Sequence, residues 1–279
     1  MFETKYKIVA DSSSNLCPNN DSAFATVPLK ILTSEKEYTD DNSLDVMQMV
    51  KELAECQGKT STSCPNIYDW LSSFDNAECV FCITITSALS GAYESAMQAK
   101  QEYEKKNPGA KVHVFDSLST GPEIALIIER LSQNIQKEMD FDEIVKDIET
   151  YQKHIHLFFT LESVQNLARN GRIHPAMAKI VGVLNLRIVG EASDEGTLAP
   201  LHKCRGSKRA VQKLFAEMKT KGYQGTKVRI DHCDNETSAI SLKNLIMTEY
   251  PNADIEIKPC RGLCSYYAEQ GGILVGFEG

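Results

Sequence analysis

Three times in its first half the chain runs an apolar stretch into a hydroxyl-rich turn and then into a helical pattern. The stretches are "YKIVADSS", "CITITSALSGAYESAMQ" and "KVHVFDSLSTGPEIALII". Strands this apolar are buried on both faces. Alternation with helices makes them neighbours in a parallel sheet covered by helices on both sides. In such sheets ligands sit beyond the carboxyl ends of the strands, and these are the ends that deliver Ser and Thr. The turn Thr86 to Gly91 is the richest of the three. It aims the free N–H groups of a helix start at whatever lies above the sheet, which suits an anion. A single Asp-Ser turn reads as a helix cap; three converging turns, with "KTSTSCP", read as a lined pocket.

Helical spacing of Leu44, Met47, Val50 and Leu53 predicts a helix capped by Asn42 or Ser43, and "SCPNIYDWLSSF" predicts another with Pro65 in its first turn. "FDEIVKDIETYQKHIHLFFTLES" reads as a long helix running into a strand. The texture then changes. "NLRIVGEASDEGTLAPLHKCRG" predicts a β-hairpin, followed by helix, strand, helix and two strands. The expected fold is α/β with two domains: residues 1–155 an N-terminal parallel α/β domain, and 156–279 a C-terminal α+β domain with a mixed or antiparallel sheet. A chain of 279 residues accommodates both.

A formal net charge of −8 argues against a nucleic-acid partner. No apolar run approaches the ~18 residues of a membrane span, and "MFETKYKIVADSSSN" lacks the basic and apolar regions of a signal peptide. Cysteines placed in apolar strand sequence, such as Cys79 and Cys82, read as buried reduced thiols, so a cytoplasmic location is expected. The spacings Cys79/Cys82 and Cys260/Cys264 fall outside zinc-knuckle loops, and packing accounts for them better than metal or redox chemistry. His154 and His156 alternate across a strand start, a poor geometry for a metal pair. There is no G-x-S-x-G elbow, no Walker sequence and no G-x-G-x-x-G.

Read together, the motifs resemble the DegV family of bacterial fatty-acid-binding proteins. "KIVADSSSNL" is similar to the family's opening strand and turn, and "KTSTSCPN" to its Thr-Ser-x-Pro segment. "ITSALSGAYESA" is similar to its Leu-Ser-Gly turn, "LARNGRI" to its Gly-Arg-Ile motif, and "LNLRIV" with "GTLAPLHKCRGSKRA" to its later strand and hairpin. The resemblance spans nearly the whole chain. It implies two α/β domains with one long-chain fatty acid in a tunnel between them and no cofactor. It also implies that Thr62 and Ser90 bind the carboxylate, that the Gly91 amide assists, and that Arg172 supports the same network. Tyr267 of "CSYYAEQGG" stands where the family usually has a histidine. A phenol donates a hydrogen bond but exchanges no proton near neutral pH, so the head group is expected to be held differently here. Tyr266 and Tyr267 are equally open to a reading as core. Candidate tunnel walls are "IVGVLNLRIV", "HLFFTLESV" and "IALIIERL", each also explicable as ordinary core.

The one notable basic cluster comprises His202, Lys203, Arg205, Lys208 and Arg209. A solvated helix start accounts for it. Family members present the fatty acid to a separate kinase, and in that context Arg205, Lys208 and Arg209 become candidates for docking to it. The expectation is a non-catalytic carrier that binds a long-chain fatty acid and delivers it, carboxylate outward, to a fatty acid kinase catalytic subunit. The rival is a phosphotransferase-like enzyme acting on a small hydroxylated substrate in the same cleft. A deep apolar cavity behind the hydroxyls favours the carrier, and a shallow polar one the enzyme.

Overall fold

The computed structural model describes residues 4–18, 23–173 and 185–279. β1 (Thr4–Asp11), β2 (Phe24–Val27), β6 (Ala77–Thr84) and β7 (Lys111–Asp116) form an all-parallel sheet in the order β2-β1-β6-β7. The register Ala10↔Ile83 and Thr84↔Asp116 brings the carboxyl ends of β1, β6 and β7 to one edge. Helices α2 (Ile67–Phe74) and α3 (Ala92–Lys106) cover one face, around Trp70, Phe74 and Val80. α4 (Pro122–Gln136) and α5 (Phe141–Tyr151) cover the other, around Phe81, Ile127 and Ile144.

The second sheet has six strands in the order β10-β9-β8-β13-β11-β12. β8 (Ile155–Leu161) and β13 (Ile273–Glu278) lie at its centre. β9 (Leu186–Ala192) and β10 (Leu198–Arg205) form the expected hairpin. Only β11 (Lys227–His232) and β12 (Asp254–Pro259) pair in parallel, so the sheet is mixed, as the later sequence predicts. The short α6 (Gln165–Arg169) follows β8, and α7 (Ser207–Thr220) and α8 (Glu236–Glu249) pack on one face. The other face turns towards the N-terminal half. There α4 crosses β13 at Gly276, where a Cβ would come within 2.7 Å of the Pro122–Glu123 backbone. Arg229 of β11 reaches Glu129 of α4 at 2.6 Å, fastening the two halves.

A third, antiparallel sheet was not anticipated: β3 (Lys30–Leu32) between β4 (Glu37–Thr39) and β5 (Ser61–Ser63). It places Thr62 on a strand. Two helix starts also move. α1 (Val46–Glu55) is capped by Asp45, whose carboxylate accepts from Gln48 N–H at 2.9 Å, while Ser43 is held by Asp41. Asn66 caps α2, leaving Pro65 outside the helix. Among the described residues no helix is long and apolar enough to cross a membrane.

Candidate functional site

A cavity of about 260 Å³ opens where the carboxyl ends of the parallel strands meet the inner face of the six-stranded sheet. Leu157, Phe159 and Leu161 form its floor. They alternate along β8 and so share one face. Leu274 of β13 and Leu198 of β10 extend that floor. Leu29, Ile85 and Leu89 close it from the N-terminal half. Of the three proposed wall segments, "HLFFTLESV" supplies this floor. "IALIIERL" does not: its side chains pack between α4, α5 and the parallel sheet. Part of "IVGVLNLRIV" lies outside the described residues, and its Ile188 is buried beside the floor.

Thr62, Ser90, Gly91, Arg172 and Tyr267 all line this cavity. Thr62 Oγ1 and Tyr267 Oη are 2.7 Å apart. Two hydroxyls carry two protons and the bond between them uses one, so the pair retains a donor for a further acceptor. Burial pushes the Tyr267 phenol above its ordinary pKa, keeping it protonated. Ser90 Oγ accepts from Ala92 N–H at 3.2 Å, which leaves its own proton free to donate. Gly91 occupies the N-cap of α3, where the helix presents its positive end. Arg172 donates from Nε to Leu89 O at 3.3 Å and from Nη1 to Asn170 O at 2.5 Å. It braces the turn after β6 while placing a positive charge near Tyr267.

Tyr267 belongs to α9 (Gly262–Ala268), whose position is set from the other half of the chain. Buried Asp40 accepts from Gly262 and Leu263 N–H at 2.8 and 2.9 Å and so caps the helix. Tyr266, the neighbour, turns away from the cavity wall. Its hydroxyl lies 2.7 Å from Thr60 Oγ1 and accepts from Asn170 Nδ2 at 2.9 Å. It holds the segment that carries Arg172. Asp40 had no signal in the sequence, since its partners lie more than two hundred residues away.

The three hydroxyl-rich turns do not contribute equally. Only the Leu-Ser-Gly turn and Thr120 face the cavity. Asp11 and the serines that follow are a buried hub. Asp11 accepts from Ser13 Oγ at 2.5 Å and from Ile85 N–H at 2.7 Å, and Ser12 Oγ from Leu29 N–H at 3.0 Å. Ser119 Oγ donates to Glu123 at 2.5 Å. The hydroxyls of the outer turns thus hold strand ends together.

Arg205, Lys208 and Arg209 are exposed where β10 passes into α7. Leu198, at the other end of β10, lines the cavity, so the basic cluster stands about 20 Å away along the strand. His202 is paired with Glu217 at 2.6 Å. All nine cysteines are free thiols, and burial pushes Cys82, Cys260 and Cys264 well above their ordinary pKa. No group of three potential metal ligands exists among the described residues.

A family model described as "Uncharacterised protein, DegV family" matches residues 5–278. A DegV domain-containing protein of Streptococcus pneumoniae strain R6 is 40% identical over 277 residues, 98% of this chain and 99% of the relative. A DegV family protein from Eubacterium eligens loaded with heptadecanoic acid superposes with a TM-score of 0.95 at 40% identity, over 98% of this chain and 99% of that one. The Streptococcus pneumoniae Fatty Acid Kinase (Fak) B3 protein loaded with linoleic acid gives 0.96 at 39% identity, over 99% of each chain. With the family model matched almost end to end and these relatives at about two residues in five, the chain belongs to the DegV family.

Proposed function

We propose that the protein binds one long-chain fatty acid in the seam cavity and hands it, carboxylate first, to the catalytic subunit of a fatty acid kinase. The units are residues 1–155 and 156–279, with the ligand between them, working in the cytoplasm without a cofactor. The observation that carries this reading is an apolar cavity with a cluster of hydroxyl donors in its wall, in a fold whose relatives are loaded with heptadecanoic and linoleic acids. Ser90, the Thr62–Tyr267 pair and the α3 N-terminus, with Gly91, supply donors suited to a carboxylate, and Arg172 supports them. The leucines and Phe159 supply a dry environment for the tail. Each buried methylene contributes ~0.8 kcal/mol, so a dozen contribute on the order of 10 kcal/mol. Affinity then comes from the tail and orientation from the head group.

The kinase reading rests on the relative named as a fatty acid kinase B3 protein. Arg205, Lys208 and Arg209 are the candidate docking residues because they are exposed and clustered on an otherwise acidic chain. The apolar lining favours a carrier over a phosphotransferase acting on a hydroxylated substrate, which would need polar walls. Denaturing extraction of the purified protein followed by mass spectrometry tests the reading. A C14 to C18 acid in near-equal amount to protein is expected; protein that carries none, and takes up none when offered it, overturns it.

A further inference from the structure

Phe159 sits at the centre of the cavity floor, and the space its ring fills exists because residue 190 has no side chain. The two residues are register partners on adjacent antiparallel strands, so whatever stood at 190 would project on the same face. A Cβ built on Gly190 would lie 2.6 Å from Phe159 Cε2 and closer still to Cζ. The ring therefore lies across the glycine. Leu157 and Leu161 flank it along β8, and Leu274 stands opposite on β13. With those sides occupied, the cavity is the direction in which a displaced ring can turn.

We propose that Phe159, seated on Gly190, sets the length and bulk of the acyl chain that the cavity accepts. The inference rests on the fatty-acid reading above and adds the pair of residues that tunes it. A smaller side chain at 159 lengthens or widens the tail compartment. A side chain at 190 drives the ring into it and shortens it.

The test compares delipidated parent, Phe159→Leu, Phe159→Ala and Gly190→Ala in titrations with saturated C14, C16 and C18 acids. Circular dichroism and melting curves establish that each is folded. One additional buried methylene is worth about fourfold in affinity. The ratio of C18 to C14 affinity should rise at least about fourfold in Phe159→Leu and more in Phe159→Ala, and fall in Gly190→Ala. A Cβ at 190 would also come 2.6 Å from Ala199 O. Should that variant not fold, the two Phe159 variants decide alone. A parent that binds these acids with ratios unmoved in the Phe159 variants overturns this inference and leaves the carrier reading standing. A parent that binds none of them removes both.

Discussion

Tyr267 of α9 and Thr62 of β5 meet with 2.7 Å between their hydroxyl oxygens, so elements 205 residues apart share one hydrogen bond in the cavity wall. The bond makes a donor pair that stays protonated. Tyr267→Phe should weaken fatty-acid binding by about tenfold or more, the cost of losing a hydrogen bond to a charged group. A fluorescent-fatty-acid displacement titration measures it, and unchanged affinity would detach Tyr267 from the head group.

The phenol's raised pKa also makes a pH prediction. Parent affinity should show no step between pH 6 and 8 attributable to residue 267. Tyr267→His should introduce one. Its imidazolium attracts the carboxylate, and affinity should fall as pH rises through roughly 6.5. Identical pH profiles for the two proteins would contradict this.

Ser90→Ala removes a proton donor aimed at the same place. A loss of roughly 1.5–3 kcal/mol in binding free energy is expected by calorimetric titration. Full affinity would put the carboxylate elsewhere.

Asp40 holds α9, and through it both tyrosines, by two charge-assisted bonds. Asp40→Ala leaves two buried N–H groups without their acceptor and should cost roughly 2–3 kcal/mol in urea unfolding. Asp40→Asn retains one acceptor oxygen and should cost less. An Asp40→Ala variant as stable as the parent would mean that the cap contributes little.

Asp231, fully buried in β11, accepts from Asn15 Nδ2 at 2.7 Å, and burial pushes its pKa up to about 7. The folded chain thus holds this proton more tightly than the unfolded one. The Asp231 contribution to stability is greatest below the unfolded value near 4 and is lost as pH rises towards 7. Asp231→Asn has no such proton to lose. Its melting temperature relative to the parent should improve between pH 5 and pH 8; a constant difference would contradict the assignment.

How much of this was readable beforehand follows from the range of the interactions. The parallel sheet, the hairpin and the mixed second sheet follow from apolar periodicity and turn residues, which act over a few positions. The three-stranded sheet did not: β3, β4 and β5 are each three residues long and carry too little pattern. Motif resemblance brought Thr62, Ser90, Gly91, Arg172 and Tyr267 onto one cavity. The pattern of hydroxyl-rich strand ends, read as three contributions to one pocket, overstated the Asp-Ser turn after β1, whose hydroxyls are consumed by Asp11 and by the Leu29 N–H. Asp40 and the Gly190 seat depend on partners distant in sequence or on an absent side chain, and neither leaves a local mark.

Arg205→Glu with Lys208→Glu reverses charge far from the cavity. Fatty-acid affinity should be unchanged, while the rate of acyl-phosphate formation with a fatty acid kinase catalytic subunit should drop severalfold. Loss of both together would remove the docking role.

A crystal structure of the protein saturated with palmitic acid bears most directly on the whole account. The carboxylate should lie within hydrogen-bonding distance of Ser90 and the Thr62–Tyr267 pair, with the chain running over Leu161 and Phe159. Density for the acid outside the seam, or a head group remote from all three hydroxyls, would contradict it.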